Sequence, residues 1–203
     1  MEPYLLLQRT HYREAMAQNP SVTAAGLYHD ELAKEFAAIK RFLPATATNV
    51  LDIGCGLAGI DWFVDRHYGG NATIHLFDKD GTSDKIYYMF HEQAAYYCSL
   101  DLARTFLEGN GVAPERVVSH DASEKDFPRR VRFDLVLSLI SWGFHYPVGT
   151  YLKQVRKALA TGGVVIVDVR KGTGGERELA NAIGALQVVY EHPKYWRLAA
   201  RGP

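Results

Sequence analysis

Apolar residues along this chain gather in short runs, and amphipathic stretches separate the runs. The runs lie at 49–53, 73–77, 116–119, 133–139 and 164–169, with "FDLVLSL" and "VVIVDV" the densest. A strand with one face in water alternates apolar and polar residues, whereas a strand covered on both faces does not. These runs therefore predict strands of a parallel sheet with helices on both sides. Ahead of them, Leu32, Phe36, Ile39 and Leu43 recur at spacings of three and four, with Glu31, Lys34, Glu35 and Lys40 in between. That period predicts a helix over 27–42, closed by Pro44. Further helices are predicted at 60–67, at 85–108 up to Gly109-Asn110-Gly111, at 148–159 ahead of Gly162-Gly163, and at 176–184. Two late runs, 186–190 and 195–200, flank Glu191-His192-Pro193-Lys194. Their separation is too short for a crossover, so they should pair antiparallel as an edge hairpin. The pattern sums to an α/β, doubly wound, mostly parallel seven-stranded sheet with an antiparallel edge hairpin. Residues 1–44 are expected to form an N-terminal helical cap segment, and residues 45–203 the sheet domain.

Composition narrows the function classes. Lys plus Arg and Asp plus Glu each number 23 in 203 residues, so the formal net charge is zero. A general nucleic-acid binder needs a basic surface, so no nucleic-acid partner is expected. The two cysteines, Cys55 and Cys98, have no metal-binding spacing, so neither a zinc site nor a disulfide framework is indicated. Asp78-Lys79-Asp80-Gly81 does not meet the spacing of a calcium loop, and no metal is expected. No apolar run approaches the roughly 20 residues that span a bilayer. The opening "MEPYLLLQRTHYREAM" lacks a basic leader region. A cytoplasmic location and no membrane partner are the expectations.

The chemistry concentrates at "VLDIGCGLAG". Gly54, Gly56 and Gly59 fit G-x-G-x-x-G between a strand and a helix, a turn that lets a ligand approach the backbone. A tight turn without a ligand satisfies the same spacing. Asp78 stands 19 residues beyond Gly59, at the tip of the second strand, where an acid accepts ribose hydroxyls. That supports a nucleoside without choosing the cofactor. Asp52, two residues before Gly54, discriminates. A carboxylate beside a pyrophosphate is unfavourable, whereas beside a cationic tail it is favourable.

With these residues the sequence resembles the class I S-adenosylmethionine-dependent methyltransferases of small-molecule type, over most of the chain from about Leu27. The acid and glycine motif stands as Asp52, Gly54, Gly56 and Gly59; Asp78 follows the second strand; Asp121 and Ala122 in "VVSHDAS" follow the third; Gly162-Gly163 precede the fifth. The resemblance implies a Rossmann-like methyltransferase fold and S-adenosyl-L-methionine as cofactor. It implies that the bend Gly54, Cys55, Gly56 and Gly59 lies against the cofactor, with Asp52 toward the methionine ammonium. Asp78 would accept both ribose hydroxyls, Lys79 or Asp80 would flank the adenine, Asp121 and Ala122 would meet its edge, and Leu139 with Leu57 would form apolar walls. A plain helix cap is the other reading of Asp121.

The segment 138–147, "SLISWGFHYP", is unusually aromatic for a loop. Its position after the fourth strand suits an acceptor pocket. His145 is the candidate general base, because imidazole titrates near neutrality, with Tyr146 beside it as the second catalytic candidate. Trp142, Phe144, Arg170, Tyr28 and His91 are the candidate acceptor contacts. Core packing is the competing reading for Trp142 and Phe144, and a backbone hydrogen bond for His145. The expected function is methyl transfer to a small molecule, at a hydroxyl of a natural product or sugar-like acceptor, with a homodimer as the expected assembly. Three alternatives stay open: N-methylation of a small amine, an NAD-dependent oxidoreductase, and a non-catalytic partner protein of the methyltransferase fold.

Overall fold

The computed structural model describes residues 2, 5–6, 9, 11–82, 97–124 and 127–203. Two helices come first, α1 (His11–Gln18) and α2 (Ala24–Ile39). The Thr23 hydroxyl caps α2 by accepting from the Gly26 N–H at 3.1 Å, so the helix starts three residues before its first predicted position. The alternating region then follows as β1 (Asn49–Ile53), α3 (Gly59–His67), β2 (Thr73–Asp78), α4 (Leu100–Gly109), β5 (Val117–Asp121), β6 (Phe133–Ser138), α5 (Gly149–Ala158), β7 (Leu159–Arg170) and α6 (Gly175–Ala182). The hairpin β8 (Leu186–Glu191) and β9 (Tyr195–Arg201) closes the chain.

The sheet has seven strands in the order β5-β2-β1-β6-β7-β9-β8. β5, β2, β1, β6 and β7 run parallel, and β9 pairs antiparallel with both β7 and β8. This is the doubly wound sheet with an antiparallel edge hairpin that the apolar runs predict. The order reverses at β1: the chain leaves β1 for β2 on one side, and crosses back from β5 to β6 on the other. A crevice opens at such a point.

One expectation fails in part. Residues 97–98 do not continue a helix begun at 85. Tyr97–Cys98 pairs antiparallel with Gly81–Thr82 as a two-stranded ribbon (β4 and β3), and α4 starts only at Leu100. The Ser99 hydroxyl accepts from the Leu102 N–H at 3.2 Å, which caps the helix there. The remainder of the predicted helix, 85–96, lies outside the described residues.

Side chains alternate faces along each strand, so the sheet divides the interior into two cores. Val50, Ile74, Leu76, Leu135, Leu137 and Ile166 pack beneath α2, α3 and α4. Leu51, Ile53, Phe77, Val136, Val165 and Val167 pack beneath α5 and α6. Tyr12, Tyr28, Leu32 and Ile39 belong to the first core, so the N-terminal helices are built into it. The same alternation carries two acids to the helical face of α2 and α3, Asp52 on β1 and Asp168 on β7. Asp168 lies opposite Arg197 in the β7–β9 register. Two hydrogen bonds join them, Nε to Oδ1 at 2.7 Å and Nη2 to Oδ2 at 2.8 Å, and Arg197 also reaches Glu35 on α2. Asp168 and Arg197 are both buried. Burial raises the Asp168 carboxyl pKa and the guanidinium pulls it back down.

A second polar pair sits on the other face. His75 Nδ1 on β2 lies 3.0 Å from His120 Nε2 on β5, with the rings stacked. Burial, and then the neighbouring ring, push the His75 pKa down to about 4.

Two measurements follow from these pairs. Arg197→Met leaves Asp168 buried without a counter-ion and is expected to cost about 3–5 kcal/mol in urea unfolding. His75 is neutral when folded and protonatable when unfolded. Its contribution is therefore complete above pH 6.5 and is lost as pH falls from 6.5 toward 4. Unfolding free energies taken across that window should slope upward with pH, and His75→Phe should flatten the slope.

Candidate active site

The carboxyl ends of β1, β2 and β6 meet at the reversal point. The chain leaves β1 through a bend in which Gly54, Gly56 and Ala58 all take positive φ, at 79°, 55° and 57°. Glycine meets that demand without strain at the first two positions. The Gly54 N–H donates to the Phe77 carbonyl at 2.7 Å, and the Gly56 N–H donates to Asp78 Oδ2 at 3.0 Å. The Asp78 carboxylate at the tip of β2 thus lies against the bend. Its other oxygen accepts from the Lys79 N–H at 2.8 Å.

The glycines differ in what they make room for. A Cβ on Gly54 would stand 1.9 Å from Ser141 Oγ, so the segment after β6 presses on the bend. A Cβ on Gly59 would stand 2.3 Å from Leu32 Cδ1 and 2.5 Å from Tyr28 Oη. Gly59 therefore admits helix α2, with Tyr28 packed over the start of α3. Burial raises the Tyr28 pKa, so it stays a neutral phenol. Cys55 and Leu57 are buried within the bend.

Asp52 is 3% exposed on β1. Directly against it stands a residue the sequence reading passed over, Asp61 on the first turn of α3, with 0% exposure. No donor of suitable geometry reaches either Asp61 oxygen, and the group it meets is the Asp52 carboxyl. Burial pushes Asp52 up to about 7, the hydrogen bond from Asp61 pulls it down, and the charge of Asp78 pushes it up again. Burial, then Asp52, raise Asp61 well above the carboxylate range. Asp61 accordingly keeps its proton and donates it to Asp52. The signal for Asp61 was present in its spacing, since it stands three residues before the core residue Val64.

Asp121 ends β5. Its Oδ1 accepts from the Ser123 N–H at 2.8 Å, the Ser123 hydroxyl at 2.6 Å and the Asp80 N–H at 3.3 Å. Slight burial opposes ionisation, but these bonds and Lys79 hold its pKa below the ordinary value. It caps the short turn Ala122–Glu124 and ties that turn to the loop after β2. Leu139 is half-buried and packs against the first core.

The segment after β6 is built rather than loose. The Ser138 hydroxyl donates to the Ile53 carbonyl at 2.7 Å and accepts from the Trp142 N–H at 2.8 Å. The Ser141 carbonyl accepts from the N–H groups of Phe144 and His145 at 3.0 and 2.7 Å, and from Tyr146 at 3.3 Å. Ile140 takes φ 58°, a strained value for a β-branched residue, and its N–H donates to Asp168 Oδ2 at 3.1 Å. The buried Asp168–Arg197 pair thereby holds this strained residue in place.

Trp142 is corrected by its burial. It is 0% exposed, with its indole N–H donating to the Val148 carbonyl at 2.7 Å. It is a core residue that anchors the segment, not an acceptor contact. Phe144 and Arg170 meet each other: the guanidinium stacks over the ring at 4.3 Å and its Nε donates to the Phe144 carbonyl at 3.0 Å. His145 is half-buried, its Nδ1 has no partner, and burial followed by the Arg170 charge lowers its pKa. It is therefore a neutral imidazole at pH 7. His91 lies outside the described residues.

No protein-family model matches the sequence, and no curated protein matches it. Solved structures do match in shape. A proposed O-methyltransferase from Nostoc punctiforme superimposes with a TM-score of 0.62 at 17% identity, over 88% of this chain and 58% of that one. The chain has the S-adenosylmethionine-dependent methyltransferase fold. A 16S rRNA N2 methyltransferase from T. thermophilus, solved with AdoMet and guanosine, gives 0.56 at 17% identity over 87% of this chain and 43% of that one. A precorrin-6y C5,15-methyltransferase from Geobacter metallireducens gives 0.53 at 13% identity over 82% and 86%. This chain thus spans little more than half the length of the first and less than half of the second. These neighbours correct the expectation about partners. The same methyltransferase fold carries an rRNA enzyme and a precorrin enzyme, so neither a small-molecule acceptor nor the exclusion of nucleic acid follows from it. Zero net charge does not restore that exclusion, because it describes the whole chain and not the site. Among the described residues, no helix is long and apolar enough to cross a membrane.

The packing at Gly59 is directly testable. Gly59→Ala should cost about 1–3 kcal/mol through overpacking against α2. In a double-mutant cycle with Tyr28→Ala, the double variant should lose less stability than the two single losses summed.

Proposed function

We propose that the protein transfers a methyl group from S-adenosylmethionine to an acceptor hydroxyl presented to the segment after β6. The observation that carries this reading is the arrangement at the reversal point. A carboxyl near the end of β1, a carboxylate at the tip of β2 and a positive-φ glycine bend between them stand together at the carboxyl end of the sheet. The donor set fits that cofactor. Asp78 exchanges its bond to the Gly56 N–H for two ribose hydroxyls, a charge-assisted pair. Asp52 faces the tail, and among the described residues its surroundings supply no basic group, so a cationic ammonium complements it where a diphosphate would be repelled. Asp121, with Ala122 beside it, stands one strand further along, at the adenine side.

When bound, the cofactor supplies an electrophilic methyl group on a sulfonium. The chain's own residues have to place a nucleophile in line with it and exclude water. Ser138 and Ser141 fix the segment against β1 and the bend, which sets the distance between the two halves of the site. His145 is the candidate base. A neutral imidazole with an unpartnered nitrogen is prepared to take a proton, and a hydroxyl acceptor needs that help more than an amine does. Hydroxyl transfer is favoured over amine transfer on that ground. Tyr146 follows His145 in the same turn, and Arg170 with Phe144 forms the rim beside it.

Titration calorimetry with S-adenosylhomocysteine is the test. Binding is expected, and Asp78→Ala should weaken it by about ten- to a hundredfold, the worth of hydrogen bonds to a charged group. Heat with NAD and none with S-adenosylhomocysteine would reverse the assignment.

A further inference from the structure

Two buried acids on the same face of the sheet are treated in opposite ways. Asp168 is paired with Arg197 by two hydrogen bonds. Asp61 is equally buried, yet no donor of suitable geometry reaches either of its oxygens. Its neighbour is a second buried carboxyl, Asp52. The ionisable groups facing the pair are Asp78 from β2 and Tyr28 from α2; Arg9 acts on Tyr28 and is itself paired with Glu31. Among the described residues, no lysine or arginine contributes to the surroundings of either carboxyl. Two carboxylates side by side in a dry site cannot both ionise, so a proton has to serve as the missing cation.

We propose that Asp61 is a positioning residue acting through Asp52. The pair stores a proton and releases it to solvent when the ammonium of the ligand's amino-acid tail seats on Asp52. The inference rests on the cofactor reading above and adds a protonation switch to it. Asp52 is the contact, because it stands near the end of β1 and feels the Asp78 charge; Asp61 is fully buried on the first turn of α3. Before the tail arrives, the Asp61 hydroxyl donates to Asp52 and the proton limits repulsion. When the ammonium arrives, the O–H bond of protonated Asp52 breaks, its proton passes to solvent water, Asp61 keeps its own proton, and one positive charge leaves as another enters. A third ligand is missing for a metal ion, since no cluster of three metal-binding groups occurs among the described residues.

The switch has a signature that packing alone does not produce. One proton leaving a group that titrates at about 7 makes ligand affinity rise about tenfold between pH 6 and pH 8. S-adenosylhomocysteine carries the ammonium; 5′-methylthioadenosine has the same nucleoside without it. Calorimetry of the wild-type chain in buffers of different ionisation enthalpy should show about half a proton released per S-adenosylhomocysteine bound at pH 7, and none for methylthioadenosine. Asp61→Asn keeps a donor toward Asp52, so its S-adenosylhomocysteine affinity should keep the wild-type rise with pH. Asp61→Leu removes the hydrogen bond that holds Asp52 down, so the rise should move to higher pH, with methylthioadenosine affinity unchanged in both variants. A wild-type affinity flat from pH 6 to 8, or an Asp61→Leu profile that coincides with the wild type, overturns the switch while leaving the cofactor reading intact. Failure of the wild type to bind either ligand overturns both. The wild-type proton count decides the matter even where the variant does not fold.

Discussion

A carboxyl group buried beneath a helix has to find a counter-charge or keep its proton, and this constraint organises the molecule around its sheet. The pleat sends every second residue of β1 and β7 to the same face, and the chain places Asp52 and Asp168 at such positions. At Asp168 the counter-charge is internal. Arg197 lies opposite it in register and extends to Glu35, which ties the antiparallel hairpin to α2. At Asp52 the described residues supply no counter-charge, and Asp61 adds a second acid instead. One acid is finished within the fold; the other is finished only by a proton or by something bound.

The finished pair also serves the unfinished one. Asp168 Oδ2 receives the N–H of Ile140, the strained residue that starts the segment after β6. Ser138 then joins that segment to the end of β1, and Ser141 rests against Gly54. Strain at one residue persists only where surrounding contacts over-determine it. Here an ion pair on one side and a serine bridge on the other supply those contacts. The acceptor side of the site is thereby held in register with the bend, although it belongs to a different strand.

Glycine has two uses at this bend. Gly54 and Gly56 turn the backbone through positive φ and bring N–H groups toward β2, one of them onto Asp78. Gly59 serves packing instead, because Tyr28 and Leu32 occupy the space a side chain would need. The third glycine of the motif thus answers to the N-terminal helix. This explains why α2 is part of the first core and not an appendage laid over it.

The strand runs, the helix periods, the glycine bend and the acids at 52, 78 and 121 were legible in the sequence, because each depends on local spacing or on a residue type that tolerates few conformations. The parallel order and the antiparallel hairpin followed from run composition and connection length. What the sequence left open was decided by contacts between distant segments. Trp142 reads as a pocket wall until its indole is seen bonded to Val148 in the core. Tyr97–Cys98 reads as helix until Gly81–Thr82 is seen beside it and Ser99 is seen restarting α4. The pairing of Asp61 with Asp52 joins a helix to a strand across the bend, and Arg197 meets Asp168 from 29 residues away. Periodicity names the face a residue occupies; only the tertiary fold determines which charge waits on the other side of that face.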